Sequence, residues 1–186
     1  MAGERKQQIL ETLAKMLEAP KREKITTASL AAKLDVSEAA LYRHFANKAQ
    51  MFEGLIEFIE STIFGLINKI SAEETDEFRQ VQRIITMLLV FAEKNPGMTR
   101  VLIGDALVNE DEKLQLRINQ LYDRIEVTLK QSLRIAETQS ENKGNAEAQA
   151  NLLICYVIGR WNQYAKSGFK RKPTEFVQQQ LSYLKL

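Results

Sequence analysis

ITTASLAAKLDVSEAALYRHFANKAQMF, residues 25–52, is the stretch on which the reading of the whole chain turns. Thr27 is placed to cap a short helix, because a threonine oxygen accepts one of the orphan amide hydrogen bonds at a helix start. Leu30, Ala31 and Leu34 share a face of that helix, and Asp35 stops it. Ser37 caps a second helix that begins at Glu38, after a turn too short for anything but a sharp crossing. Two short helices joined so tightly predict a helix-turn-helix. In the second helix Leu41 and Phe45 lie one turn apart and face inward with Val36, leaving Glu38, Ala39, Tyr42, Arg43, His44 and Ala46 on the outer sides. Small residues there let the backbone approach base edges in a major groove, while Tyr42, His44 and Lys48 offer donors to phosphates. A plain surface hairpin of helices is the competing reading.

Charge supports the first reading only once it is divided. The chain of 186 residues carries a net charge of +2. Residues 1–48 hold 9 Lys or Arg against 6 Asp or Glu, and residues 49–186 hold 17 against 18. The basic excess therefore sits in the helix-turn-helix half, and it is small enough that affinity must come from placed contacts and pairing of subunits more than from bulk attraction. An apolar content of 45% and a charged content of 27% are those of an ordinary globular protein. The longest apolar run, Leu152 to Ile158, is far shorter than the roughly 20 residues that span a bilayer. The polar start MAGERKQQ does not look like a secretion signal, and a lone Cys155 cannot form an internal disulfide, which fits a reducing cytoplasm.

Outward from the decisive stretch, helical periodicity runs the length of the chain. Ile9, Leu10, Leu13, Met16 and Leu17 predict an amphipathic helix from Glu4 to Glu18 that covers the helix-turn-helix, ended by Pro20. Lys21, Arg22 and Lys24 form a basic loop that either flanks a phosphate backbone or is simply solvated. From Lys48 to about Ile70 a long helix carries the stripe Phe52, Leu55, Ile56, Ile59, Ile63, Leu66, Ile67 and Ile70, with Phe58 and Met51 on a flank outside it. Ser71 to Asp76 is a polar connector. Glu77 to Glu93 is a helix whose second half is apolar nearly all round, and Met98 to Ala106 is a short one after the break Asn95, Pro96, Gly97. Glu110 to Glu137 repeats Leu114, Ile118, Leu121, Ile125, Leu129 and Leu133 close to a heptad, as a coiled coil or a core helix would. Gln139 to Asn145 reads as a disordered loop, and Ala146 to Lys166 and Thr174 to Lys185 as the last two helices. The expected fold is all-α, about nine helices, with a helix-turn-helix domain over residues 1–48 and a helical body over 49–186.

The run LYRHFANKAQMF, residues 41–52, resembles the signature that closes the DNA-binding domain of TetR-family regulators, which are all-helical homodimers. SEAALYRHF, LIEFIE, NPGMTRVL, RINQLYDRIE and FKRKPT further resemble the nucleoid occlusion branch of that family. The resemblance implies binding to dispersed palindromic sites on double-stranded DNA and, when DNA-bound, disruption of FtsZ polymers so that division does not proceed over the nucleoid. The candidate DNA-contacting residues are Thr26, Thr27, Ser37, Glu38, Ala39, Tyr42, Arg43, His44 and Lys48. The branch holds the FtsZ tail on the long helix and the one after it, which makes Phe58 a candidate anchor, with Met87 beside it and Lys94 and Asn95 at the rim. The resemblance also implies that the last two helices pair with their copies in a second subunit, with Val157, Trp161, Val177 and Leu181 as the expected contacts. One dimer or several per DNA site is left open. Leu66 stands where the branch carries an arginine, and Asp105 where it carries a histidine.

Catalysis has no comparable support. His44 is the only histidine, no phosphate-cradling loop or dinucleotide fingerprint occurs, and no cofactor or metal spacing is present in the sequence. The alternative is a ligand-responsive repressor, in which the apolar residues of the fifth helix with Asn119, Tyr122 and Asn151 line a small-molecule pocket.

Overall fold

The computed structural model describes residues 2–19, 25–108, 110–139 and 144–184. Among the described residues nine helices form and no strand: α1 (Ala2–Met16), α2 (Thr27–Lys33), α3 (Glu38–Tyr42), α4 (Lys48–Glu73), α5 (Glu77–Lys94), α6 (Pro96–Leu102), α7 (Glu112–Gln139), α8 (Ala146–Lys166) and α9 (Val177–Tyr183). The expected stop at Pro20, the basic residues Lys21, Arg22 and Lys24, and most of the loop expected between Gln139 and Asn145 lie outside the described residues.

Local chemistry explains where the bounds move. α6 begins earlier than expected because Pro96 fits the first helical position, where no amide partner is needed. It ends before Gly104, whose φ of +76° leaves the helical region. α9 begins later than expected. Phe176, just before it, has a left-handed φ of 62°, so the helix cannot continue backward through it, and the Thr174 hydroxyl donates instead to the Glu93 carboxylate.

The interior follows the periodicity with two exceptions. Phe52, Leu55, Ile56, Ile59, Ile63, Ile67 and Ile70 of α4 are buried, but Leu66, expected among them, is 37% exposed. Met51, expected on the flank beside Phe58, is completely buried, on a helix whose side is covered by α1. The heptad-like residues of α7 all lie inside, so its repeat is that of a core helix packed on α5 and α8. α8 is enclosed by α5, α6 and α7, and the Trp161 indole N–H donates to the Leu88 carbonyl at 3.1 Å across that packing.

That enclosure corrects three of the four expected subunit contacts, Val157, Trp161 and Leu181. Val157, Trp161 and Leu181 are buried within the protomer, and Val177 is half-buried against the same core. Three sides of α8 are already occupied, so its largest apolar residues serve this chain's own interior. The outward side carries Leu152, Cys155 and Gly159, with Phe176 and Tyr183 exposed before and on α9.

The helix-turn-helix half meets the body through α1, which packs on α4 and α6. A Cβ on Gly97 would stand 1.9 Å from the Ala14 carbonyl oxygen, so only glycine permits the two helices to approach so closely. One turn on, the buried Arg100 guanidinium donates to the Ala19 carbonyl at 2.9 Å and stacks 5.0 Å from the Phe169 ring.

Candidate nucleic-acid interface

Two caps and one left-handed residue build the reading element. The cap of α2 is Thr26, one residue earlier than expected. Its hydroxyl oxygen accepts from Ser29 N–H at 3.1 Å while Ser29 Oγ accepts from Thr26 N–H at 3.1 Å, a reciprocal box that Thr27 cannot close because its third following residue is Leu30. At the other end Val36 N–H donates to the Ala31 carbonyl at 3.0 Å and Asp35 N–H to Ala32 at 3.2 Å. This pair of hydrogen bonds closes the helix around Asp35, whose φ is 54°, a region aspartate tolerates better than most residues. Ser37 then caps α3, accepting from Ala40 N–H at 3.2 Å, as expected.

The freed Thr27 acts between the helices. Its hydroxyl donates to Glu38 Oε2 at 2.6 Å and accepts from the Tyr42 hydroxyl at 3.4 Å. Leu41 and Phe45 are buried, and Glu38, Ala39, Tyr42 and Arg43 are exposed on the outer side. Thr26, Thr27, Ser37, Glu38, Ala39, Tyr42 and Arg43 thus lie on one short crossing, with His44 half-buried at its end. Such a face offers a small residue for close approach, a carboxylate that can accept from a cytosine amino group, and hydroxyl and guanidinium donors for phosphates.

Lys48 does not join them. Its ammonium pairs with Glu110, in the segment leading to α7, and lies 5.6 Å from the centroid of the Phe52 ring. The expected phosphate donor is thus engaged by the body, through a carboxylate 62 residues away that no local pattern could have revealed.

The candidate partner surface is less gathered. Phe58 is 39% exposed on α4. Met87 lines an open cleft of about 480 Å³ with Ile70, Gln82, Arg83, Thr86, Val90 and Gln178, and Phe58, Lys94 and Asn95 are not among its lining. Lys94 is exposed in the last turn of α5, where a cation suits the helix dipole. Asn95 follows it and donates through Nδ2 to the Phe91 carbonyl at 2.7 Å. The Glu93 carboxyl beside them sits below the ordinary glutamate range, chiefly through the Thr174 hydroxyl and then Lys172 at 3.4 Å, against the opposing effect of burial.

The residues expected to line a small-molecule pocket do not converge. Asn119 is exposed and accepts from Gln115 at 3.0 Å, and Asn151 is exposed and donates to Glu126 at 3.2 Å. Tyr122 donates its hydroxyl to the Leu102 carbonyl, and burial raises its pKa.

Residues 9–55 match the model of bacterial regulatory proteins of the tetR family, and residues 75–186 match the SlmA-like tetracyclin repressor-like C-terminal domain. The nucleoid occlusion factor SlmA of Alteromonas mediterranea is 52% identical over 183 residues, covering 97% of this chain and 94% of the relative. That of Shewanella amazonensis is 50% identical, covering 97% and 92%. Among solved structures, a TetR transcription regulator from Haloarcula marismortui superposes with a TM-score of 0.82 at 16% identity, over 98% of this chain and 96% of that one. FadR of Bacillus subtilis, solved with stearoyl-CoA, superposes with a TM-score of 0.77 at 12% identity, over 96% of each chain; at such identity the likeness is one of fold.

Proposed function

The chain belongs to the SlmA-like nucleoid occlusion factors of the TetR family, and from that premise we propose that it binds palindromic DNA as a two-fold dimer and, once bound, captures the FtsZ tail and breaks up FtsZ polymers. The observation that carries the DNA half is the outer face of α3, small at Ala39 and donor-bearing at Tyr42 and Arg43, between two capped helix starts. A helix of five residues reads few base pairs, so a second copy related by two-fold symmetry supplies the specificity. Residues 1–48 are the reading unit and residues 49–186 the pairing and partner-binding unit. The outward side of α8 with Phe176 and Tyr183 is the surface we assign to the second subunit, in place of the buried residues beneath it. The protein works on the nucleoid in the cytoplasm, and we assign it no enzymatic activity.

For the partner half, Phe58 is the anchor, with Met87 in a cleft that Phe58 itself does not line and Lys94 and Asn95 toward the ends of the adjoining helices. The support is its exposure on a helix where, of the large apolar residues, only Leu66 is likewise exposed. A buried aromatic anchor at a binding hot spot costs about 2 kcal/mol or more when cut to alanine, a roughly thirtyfold loss of affinity. The test is fluorescence anisotropy of labelled FtsZ tail peptide, with and without a palindromic duplex recovered by selection from random DNA. Phe58→Ala is expected to lose the peptide and keep the duplex. Unchanged peptide affinity, or no peptide binding even with DNA present, turns the reading toward a ligand-responsive repressor.

A further inference from the structure

Besides the packing of α1 on α4, the body reaches back to the helix-turn-helix half from the stretch between Gly97 and Glu110. Gly97 lies against the Ala14 backbone, Arg100 donates to the Ala19 carbonyl, and Glu110 pairs with Lys48. The first two are tight, fixed contacts of backbone and buried side chain. The third differs in kind: it joins two ionised side chains, 21% and 14% exposed, at the amino end of α4.

That end of α4 follows α3 by a turn of five residues and is capped by Asn47, which accepts from Gln50 N–H at 2.9 Å. Elements flanking a recognition helix are where a helix-turn-helix meets the phosphate backbone, and a lysine at the first helical position there is a natural phosphate donor. In this protein a carboxylate occupies that donor. A pair of opposite charges has no net charge, so it adds nothing to counterion release when DNA arrives.

We infer that Glu110 is an internal competitor with DNA phosphate for Lys48, setting the affinity and the salt dependence of DNA binding from within the body. The inference rests on the DNA-binding reading and is independent of any partner protein. When Lys48 moves to a phosphate, Glu110 loses its partner, so DNA engagement at α4 weakens the body's hold on the segment before α7. Glu110 therefore acts on DNA binding through Lys48, by withholding it, and not through a contact of its own.

The test is titration of the full-length protein with a random-sequence duplex and with a selected palindromic duplex, between 50 and 200 mM salt. Freeing one lysine in each subunit steepens the dependence of log K on log salt by about 1.8 in all, about 0.9 per phosphate contact. The advantage of Glu110→Gln over the parent is then expected to shrink by about tenfold across that range, on both duplexes, because a phosphate contact carries no sequence. Glu112→Gln removes the same charge from an exposed position nearby and controls for bulk charge. Glu110→Asp keeps the charge and shortens the reach by one methylene, so it should show part of the gain, and it serves if the glutamine variant folds poorly. In a Lys48→Met background both gains should vanish. Two results overturn the inference: a gain from Glu110→Gln no larger than that from Glu112→Gln, or a gain that persists without Lys48. The random-sequence duplex separates this outcome from failure of the palindrome, since its binding does not require one.

Discussion

α3 and α8 carry their largest side chains to opposite places. In α3 one residue, Leu41, is buried and Tyr42 stands 45% exposed. In α8 Trp161 is completely buried, while the outward positions hold Leu152, Cys155 and Gly159. A five-residue helix has one turn to hide and the rest to offer, so its outer face can be read from a single inward residue. A helix of 21 residues surrounded by three others spends its apolar residues on its own protomer before any remain for a second one. The lesson is that apolar size is left at the surface in the small element and spent on packing in the large one.

The strongest way to sharpen that contrast is to cut α8 on each side. Trp161→Ala removes a fully buried ring and leaves the Leu88 carbonyl without its donor, and a loss of about 3–5 kcal/mol in urea unfolding is expected. Leu152→Asp acts on the other side. If the outward face pairs subunits, it buries an unpaired charge costing about 3 kcal/mol, so sedimentation should show monomers while helicity by circular dichroism stays that of the parent. A Leu152→Asp protein that remains dimeric at micromolar concentration breaks the assignment.

Changes in the reading element are expected to be smaller. Tyr42→Ala should weaken binding to selected and random duplexes alike, by about 1–2 kcal/mol, as loss of a backbone contact does, while Ala39→Arg should change which sequence is selected. Thr26→Ala removes the reciprocal cap and should cost about 1 kcal/mol of stability, whereas Thr27→Ala should leave the cap intact and instead release Glu38 and Tyr42. A preserved melting temperature in Thr26→Ala would count against the capping box.

The smallest effect is one of pH. The Glu93 carboxyl is held below its ordinary range in the folded protein, so the stability it contributes is present above the unfolded value and is lost as pH falls through the folded one. Thr174→Ala should shrink that acid-side loss, measured as the difference in melting temperature between neutral and mildly acidic buffer.

Most of the architecture was legible because it rests on local pattern. The cap at Ser37, the stop at Asp35, the α8 bounds and the heptad-spaced core of α7 all follow from residues close in sequence. What was not legible depends on what lies across the fold. The cap of α2 is the one local exception, since Ser29, three residues after Thr26, already marks Thr26 over the expected Thr27. Met51 is hidden on a helix whose side α1 covers, and Lys48 is taken by Glu110. The subunit contacts expected at Val157 and Trp161 share that cause: periodicity shows that α8 has an apolar face but not whether its own protomer or another fills it.

The length of α4 sets how finely the body must be built. Its 26 residues make a rod of about 39 Å, at 1.5 Å per residue, whose first turn adjoins α3. Tilting such a rod by about 5° from its far end displaces the near end by about 3.4 Å, which is the rise of one base along a strand. In a two-fold pair the displacement counts twice. An angular error smaller than many rotamer changes would therefore move the two α3 helices out of step with a palindrome, and the fit between protein and DNA is a matter of angle before it is one of contacts.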